Sequence, residues 1–317
     1  MIAVIIPSFK VKEQILGVIS AIGPEVNRIY VVDDQCPEGT GNYVKENCSD
    51  PRVLVLFNSK NLGVGGAVIT GYKKALEDGC TILIKLDGDG QMAPSFIRKL
   101  IGPILKHEAD YVKGNRFYEL SFLIKMPAVR RFGNSMVSFI NKITSGYWNI
   151  MDPANGFTAI SSSALKELPF EKIDPRFFFE CDMLFRLNTI RAVVKDIPMP
   201  SQYGNEMSNL SISKVLFVFP FKYLNRFFKR LFYTYFLRDF NIGSLELIMT
   251  IILLGFGFIF GGIKWIEGIR SNTPATAGTV FLAGLPIILG FQSLLSFLHF
   301  DLANIPQKPI TPYDEEQ

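Results

Sequence analysis

Asp87 and Asp89 flank one glycine, Gly88, directly after the apolar run Ile82-Leu83-Ile84-Lys85-Leu86. Two carboxylates brought together at a strand end repel each other unless a cation lies between them. Mg²⁺ and Mn²⁺ take oxygen ligands and keep open positions for substrate phosphates. Gln91 adds a neutral carbonyl oxygen to the set. An EF-hand loop also opens D-x-D, but its twelfth position requires Glu and is Arg98 here, so that reading fails. The competing account is a glycine-rich turn with solvated aspartates.

Other polar groups recur at the ends of apolar runs. Asn61-Leu62-Gly63-Val64-Gly65-Gly66-Ala67 leads into a helical pattern, where free amides favour anions. It is neither a dinucleotide fingerprint, since Val68 stands three after Gly65, nor a P-loop, which needs G-K-[ST]. A phosphate cradle and an ordinary tight turn are equally compatible with it. Asp33 and Asp34 suit hydrogen bonds from a base or ribose, and equally a cap on the next helix. Arg116 follows Lys113-Gly114-Asn115 and suits neutralisation of a diphosphate. Asp152 opens the turn Asp152-Pro153-Ala154-Asn155-Gly156-Phe157, which sets a carboxylate at the site edge. Glu180 and Asp182 open a helix, where acids also favour the dipole.

These groups need a frame. Apolar runs at 2–6, 28–32, 52–57, 81–86 and 109–112 read as buried strands, with helical patterns between them at about 12–22, 40–48, 64–78 and 94–106. Such alternation predicts an α/β domain with a mainly parallel sheet covered on both faces, and ligands of such sheets bind at the carboxyl ends of the strands. The chain has 317 residues, enough for one or two domains with a real core. Four scattered cysteines without C-x-x-C spacing exclude a disulfide scaffold, and two isolated histidines exclude a histidine-rich metal site. A net charge of +4 is too small to argue for nucleic acid. No internal repeat or low-complexity tract is present.

The C-terminal third differs in character. No charged residue lies in 247–263 or in 275–298. At about 1.5 Å per helical residue these stretches span roughly 26 and 36 Å, against a hydrocarbon core of ~30 Å. They read as a transmembrane hairpin. The N-terminus lacks the basic region of a signal peptide. Lys214, Lys222, Arg226, Lys229, Arg230 and Arg238 precede the first span with no acid among residues 214–238. This bias places the N-terminal part and the C-terminal tail in the cytoplasm. Lys222, Arg226, Lys229 and Arg230 share one helical face, opposite Leu224, Phe227, Phe228, Leu231 and Tyr235. The expectation is an interfacial helix with its cations toward lipid phosphates; the alternative is a helix packed on the cytosolic domain with a solvated basic face.

Taken together, V-x-I-P-S-F, V-V-D-D-x-x-x-x-G-T, N-x-G-x-G-G-A and L-D-G-D-G-Q resemble glycosyltransferase family 2 enzymes with a GT-A fold. The D-P-x-N-G-F turn, basic helices and hairpin are similar to the polyisoprenyl-phosphate hexosyltransferase, or dolichol-phosphate mannose synthase-like, branch. The resemblance implies a Rossmann-like GT-A catalytic domain over 1–210, basic amphipathic interfacial helices over 211–240, a transmembrane hairpin over 241–300 (about 245–264 and 275–299), and a cytoplasmic tail over 301–317. It implies a UDP- or GDP-hexose donor bordered by Pro7, Ser8, Lys10, Asp33, Asp34, Asn61, Gly63, Asp87 and Gly88. It also implies Mg²⁺ or Mn²⁺ on Asp87, Asp89 and Gln91, with Asp89, Arg116 and Asp152 serving the transfer. A polyprenyl phosphate would be the acceptor, with Ser208 and the four cations of the basic helix on its side, the membrane and a second copy of the chain as partners, and no nucleic acid. Two features depart from the pattern. Lys10 stands near the position of the family's Asn-Glu, and the later R-x-x-G-x-S-K arm reads Tyr203-Gly204-Asn205-Glu206-Met207-Ser208-Asn209, without its Arg and Lys. Lys10 and Arg116 are the cations at hand to replace them.

The expected reaction is hexose transfer to the lipid phosphate, with inversion. A phosphate monoester is already ionised at neutral pH and needs no strong base. The closest rival, transfer to a hydroxyl of a lipid-linked saccharide, needs one, and Asp152, Glu180 or Asp182 would supply it. A non-catalytic nucleotide-binding scaffold is the rival from another class.

Overall fold

The structure, a computed structural model, describes residues 1–118, 128–199 and 218–310. The chain folds as two compact units, one comprising residues 1–227 with the chain from Pro306 on, the other Phe228–Ile305.

In the first unit the five expected apolar runs are strands: β1 (Ile2–Ser8), β2 (Arg28–Asp33), β3 (Val53–Phe57), β4 (Ile82–Lys85) and β5 (Tyr111–Asn115). Two more, β6 (Thr158–Ser161) and β7 (Val194–Pro198), complete a seven-stranded sheet of order β3-β2-β1-β4-β6-β5-β7. All pairings are parallel except those of β6, which runs antiparallel to β4 and β5. This reversal is what brings the turn preceding β6 to the sheet edge where β4 and β5 end. Helices α1 (Ile15–Ser20), α2 (Thr40–Asn47), α3 (Val64–Glu77) and α4 (Ile97–Leu105) fill the intervals between β1 and β5. They cover strands whose central residues, such as Val4, Ile6, Val31 and Ile84, are fully buried. After β5 come α5 (Ala128–Ser145), the short α6 (Ser162–Lys166) and α7 (Phe179–Thr189).

Helix α8 (Phe219–Phe232) leads to a π-helical turn at Tyr233–Arg238. The second unit then consists chiefly of α9 (Ile242–Ser271) and α10 (Ala277–Ala303), both long and apolar enough to cross a membrane. Asn241 and Ser244 form a capping box at the start of α9, and Thr276 caps α10. The two helices approach closely at glycines. A Cβ on Gly290 would lie 2.8 Å from the Leu254 side chain, and one on Gly257 2.6 Å from Ile287. Arg230, buried, forks onto Asp301 at 2.6 and 3.1 Å, and the Tyr235 hydroxyl donates to the same carboxylate at 2.6 Å.

Candidate active site

The polar motifs gather at the carboxyl ends of the strands. At the end of β4 sits a group that the sequence did not announce. Lys85, its side chain 1% exposed, donates to Asp87 Oδ1 at 2.7 Å, pairs with Glu180 Oε1 at 3.1 Å and donates to the Gly156 carbonyl at 3.3 Å. Burial opposes the ammonium charge, but the two carboxylates more than offset it and raise the lysine pKa. Gly156 is required here by close approach: a Cβ would lie 2.3 Å from Lys85 Nζ and 2.7 Å from Asp87 Oδ2. Asp89 Oδ1 accepts the Gln91 amide at 3.0 Å, which folds the turn back on itself.

The hard oxygen donors of Asp87, Asp89 and Gln91 stand partly exposed on this turn. That set fits Mg²⁺ or Mn²⁺ held by few protein ligands and completed by phosphate oxygens. Among the described residues no cluster of three His, Cys, Asp or Glu forms an all-protein metal cage.

At the end of β5, Arg116 and Asp152 form a two-point ion pair, Nε to Oδ2 at 2.7 Å and Nη2 to Oδ1 at 3.0 Å. Asp152 is buried while the Arg116 side chain keeps 31% of its surface exposed. The carboxylate therefore presents the guanidinium rather than facing the site itself. Beneath the pair, fully buried Lys113 donates to the carbonyls of Pro153 at 3.0 Å and Asn155 at 3.2 Å. Desolvation lowers its pKa, against the pull of Asp152 and Asp196. Asn155 closes the turn by donating to the Gly114 carbonyl at 2.7 Å. Asp196 accepts from Asn115 at 3.1 Å and from the Met151 amide at 2.8 Å, and burial pushes its pKa up to about 6.

The first three strand ends are knitted internally. Asp33 accepts the amides of Cys36 and Gly41, each at 2.7 Å, and so ties its turn to the start of α2. Asp34 accepts from Asn58 at 2.8 Å and from the amides of Leu62 at 2.9 Å and Gly63 at 2.7 Å. Asn61 donates to the Asp34 carbonyl at 3.2 Å. The glycines of this loop serve a backbone approach. The Gly66 amide donates to Pro175 O at 2.9 Å, and a Cβ on Gly63, whose φ is +87°, would lie 2.7 Å from the same oxygen. The amides of Leu62, Gly63 and Gly66 are thus engaged by protein oxygens, which shapes the loop as a tight turn leading into α3. Pro7 and Ser8 end β1, with Ser8 buried and donating to Ile6 O at 3.2 Å. Lys10 takes the left-handed conformation, φ 59°, and its amide donates to Cys36 Sγ at 3.1 Å.

The acids of α7 and the cations of α8 depart from expectation. Asp182 is fully buried; it accepts the Asp174 amide at 2.8 Å, Arg186 at 3.2 Å and Arg226 at 2.7 Å. Lys222 pairs with Asp174, and Arg230 with Asp301. Three of the four cations expected to face lipid phosphates are therefore directed to the protein's own carboxylates, which neither the interfacial reading nor a solvated basic face anticipated; Lys229 is exposed. The apolar residues divide as well. Tyr223 and Leu231 are buried, whereas Phe221 (75% exposed), Leu224 and Phe228 form an exposed stripe. On α5, Phe132, Met136 and Phe139 are likewise exposed at helical spacing. Ser208 and the Tyr203–Asn209 arm lie outside the described residues.

Sequence reasoning missed Lys85 and Lys113 as site residues. The signal was available: each is a lone cation inside a strand whose neighbours are apolar, a position a charge occupies only with dedicated partners.

A mainly parallel sheet with an acidic turn after its fourth strand and an antiparallel strand beside it is the GT-A architecture of glycosyltransferases. The chain belongs to glycosyl transferase family 2, whose profile matches residues 3–169, and it is a glycosyltransferase. It is 30% identical over 217 residues to a UDP-N-acetylglucosamine–dolichyl-phosphate N-acetylglucosaminyltransferase of Methanococcus voltae, covering 64% of this chain and 86% of the relative. It is 29% identical to an undecaprenyl-phosphate mannosyltransferase of Micrococcus luteus, covering 62% of this chain and 81% of the relative. Glucosyl-3-phosphoglycerate synthase from Mycobacterium tuberculosis, solved with uridine diphosphate, shares the fold with a TM-score of 0.54 and 17% identity over 73% of this chain and 79% of that one.

Proposed function

We propose that the protein transfers a hexose from a nucleotide diphosphate sugar to a polyprenyl phosphate at the cytoplasmic face of a membrane. The observation that carries the choice of acceptor is the state of the three carboxylates available as a base. Asp152 is forked by Arg116, Glu180 is paired with Lys85, and Asp182 is shared by Arg186 and Arg226. A hydroxyl acceptor needs a carboxylate within reach to take its proton. A phosphate monoester, with a second pKa of about 6, does not. The curated relatives named above act on dolichyl and undecaprenyl phosphates, which supports the same acceptor here. The exposed apolar stripes of α5 and α8 and the two long apolar helices suit a lipid substrate.

The acceptor phosphate oxygen attacks the anomeric carbon as the bond from that carbon to the donor diphosphate breaks, inverting the centre. Arg116, held by Asp152, offers a fixed guanidinium to the phosphates in the region where charge develops. Asp87, Asp89 and Gln91 would hold a divalent cation, which supplies charge neutralisation of the leaving diphosphate when bound. The Mycobacterium tuberculosis enzyme has also been solved with Mn²⁺ and uridine diphosphate, which supports such an ion. The lysines and arginines before α9, and the few charges between α9 and α10, favour a cytoplasmic catalytic unit.

The test is purified full-length protein in detergent with Mn²⁺, undecaprenyl phosphate and radiolabelled UDP- and GDP-hexoses, followed by organic extraction. Label is expected to enter the lipid phase with one donor, and not with Asp89→Ala. Donor consumption that labels only a hydroxyl-bearing lipid-linked saccharide would overturn the proposed acceptor.

A further inference from the structure

Lys85 occupies the last position of β4, where Ile82, Leu83, Ile84 and Leu86 around it are all buried apolar residues. Packing alone would be met by methionine or leucine, without the penalty of desolvating an ammonium. Its three donors meet three acceptors from three separate segments: Asp87 in the acidic turn, the Gly156 carbonyl in the turn before β6, and Glu180 in the first turn of α7. Asp87 Oδ1, an oxygen that a divalent cation would use, is the one Lys85 engages at 2.7 Å.

We infer that Lys85 is a resident cation that competes with the divalent metal for Asp87, so that the metal is retained only when a nucleotide diphosphate brings further oxygen ligands. This rests on the metal–nucleotide reading given under Proposed function. Lys85 is a positioning residue: it fixes Asp87 and Glu180 and keeps the acidic turn from collecting metal in the absence of donor. Metal and donor then enter as one unit, and metal loss accompanies release of the nucleoside diphosphate. Removal of the ammonium leaves Asp87, Asp89 and Glu180 with one less neighbouring positive charge, which makes the turn a stronger cation site.

The experiment is a titration of the full-length protein in detergent with Mn²⁺ at pH 8, following the free-ion electron paramagnetic resonance signal, with and without UDP or GDP. In the wild type, nucleotide should tighten Mn²⁺ binding at least tenfold. Lys85→Met should tighten nucleotide-free binding by a similar factor, and Lys85→Gln, which keeps hydrogen bonds to the carboxylates without the charge, should do the same. Lys85→Arg should remain as weak as wild type. If nucleotide-free binding is unchanged or weaker in both neutral variants while the wild type still shows nucleotide-assisted binding, the role given to Lys85 is overturned and the metal–nucleotide reading stands. Absence of Mn²⁺ binding in the wild type with either nucleotide overturns both.

Discussion

Asp152 holds Arg116 by three contacts: two from the guanidinium, at 2.7 and 3.0 Å, and one from the Arg116 amide, at 3.2 Å. Backbone and side chain of the arginine are thus fixed by one buried carboxylate. An arginine so held meets a phosphate without first losing rotamer freedom. Asp152→Asn keeps the shape but loses the charge and one acceptor of the fork. It should lower kcat/KM by about 100-fold, the loss expected from misplacing a positioned group. Arg116→Lys should fall at least as far, because a point charge cannot reproduce the fork. Steady-state transfer assays check both; wild-type rates in Asp152→Asn would remove Asp152 from the mechanism.

Asp196 gives a pH signature. Its carboxyl is raised from an ordinary 3.8 to about 6, chiefly by burial. The folded state therefore holds this proton more tightly than the unfolded state. The stabilisation is full below about pH 4 and is lost as the pH rises through 6. Asp196→Asn should accordingly be more stable than wild type at pH 7.5, with the advantage shrinking toward pH 4.5. Apparent melting midpoints in detergent at the two pH values measure this. Equal differences at both would show that Asp196 does not titrate in this range.

The Asp182–Arg226 contact predicts a stability effect from a helix that would otherwise be read as lipid-facing. Arg226→Gln leaves fully buried Asp182 with one fewer guanidinium, a loss of about 3 kcal/mol for a broken buried pair. Lys229→Gln, at an exposed position, should leave the melting midpoint unchanged. A liposome-binding defect in Arg226→Gln without a drop in stability would restore the lipid-facing role.

Gly65 packs so closely on the turn after Ile173 that a Cβ would lie 2.6 Å from the Asp174 carbonyl and 2.7 Å from the Phe179 ring. Gly65→Ala should destabilise by roughly 2 kcal/mol through overpacking. Because the same loop is tied to Asp34, it should also raise the KM for donor. Unaltered donor KM in a destabilised variant would separate packing from binding.

The strands carrying this site were legible because short apolar runs recur with helical patterns between them, and the polar motifs fall at their ends. β6, Thr158–Ser161, has only two apolar residues between a threonine and a serine, so it does not rise above its flanking turn. β7 carries Lys195, Asp196 and Pro198, which dilute any strand pattern. The acidic turn, Arg116 and Asp152 were singled out by residue type and spacing. What spacing does not carry is which partner engages each charge. Asp182 reads as a helix-start acid until Arg226, 44 residues later, is seen on it. The cations of α8 likewise read as a free basic face because their acids, Asp174, Asp182 and Asp301, lie far away in sequence.

The buried pair of Arg230 with Asp301 bears on how the chain is made. The two residues are 71 positions apart, Arg230 before α9 and Asp301 in the last turn of α10. During synthesis Arg230 leaves the ribosome well before the carboxylate that will fork it, so the contact closes only after α9 and α10 have both been delivered. A chain stopped short of residue 301 would keep the buried arginine without the carboxylate that neutralises it, which leaves an uncompensated charge where the finished hairpin has an ion pair.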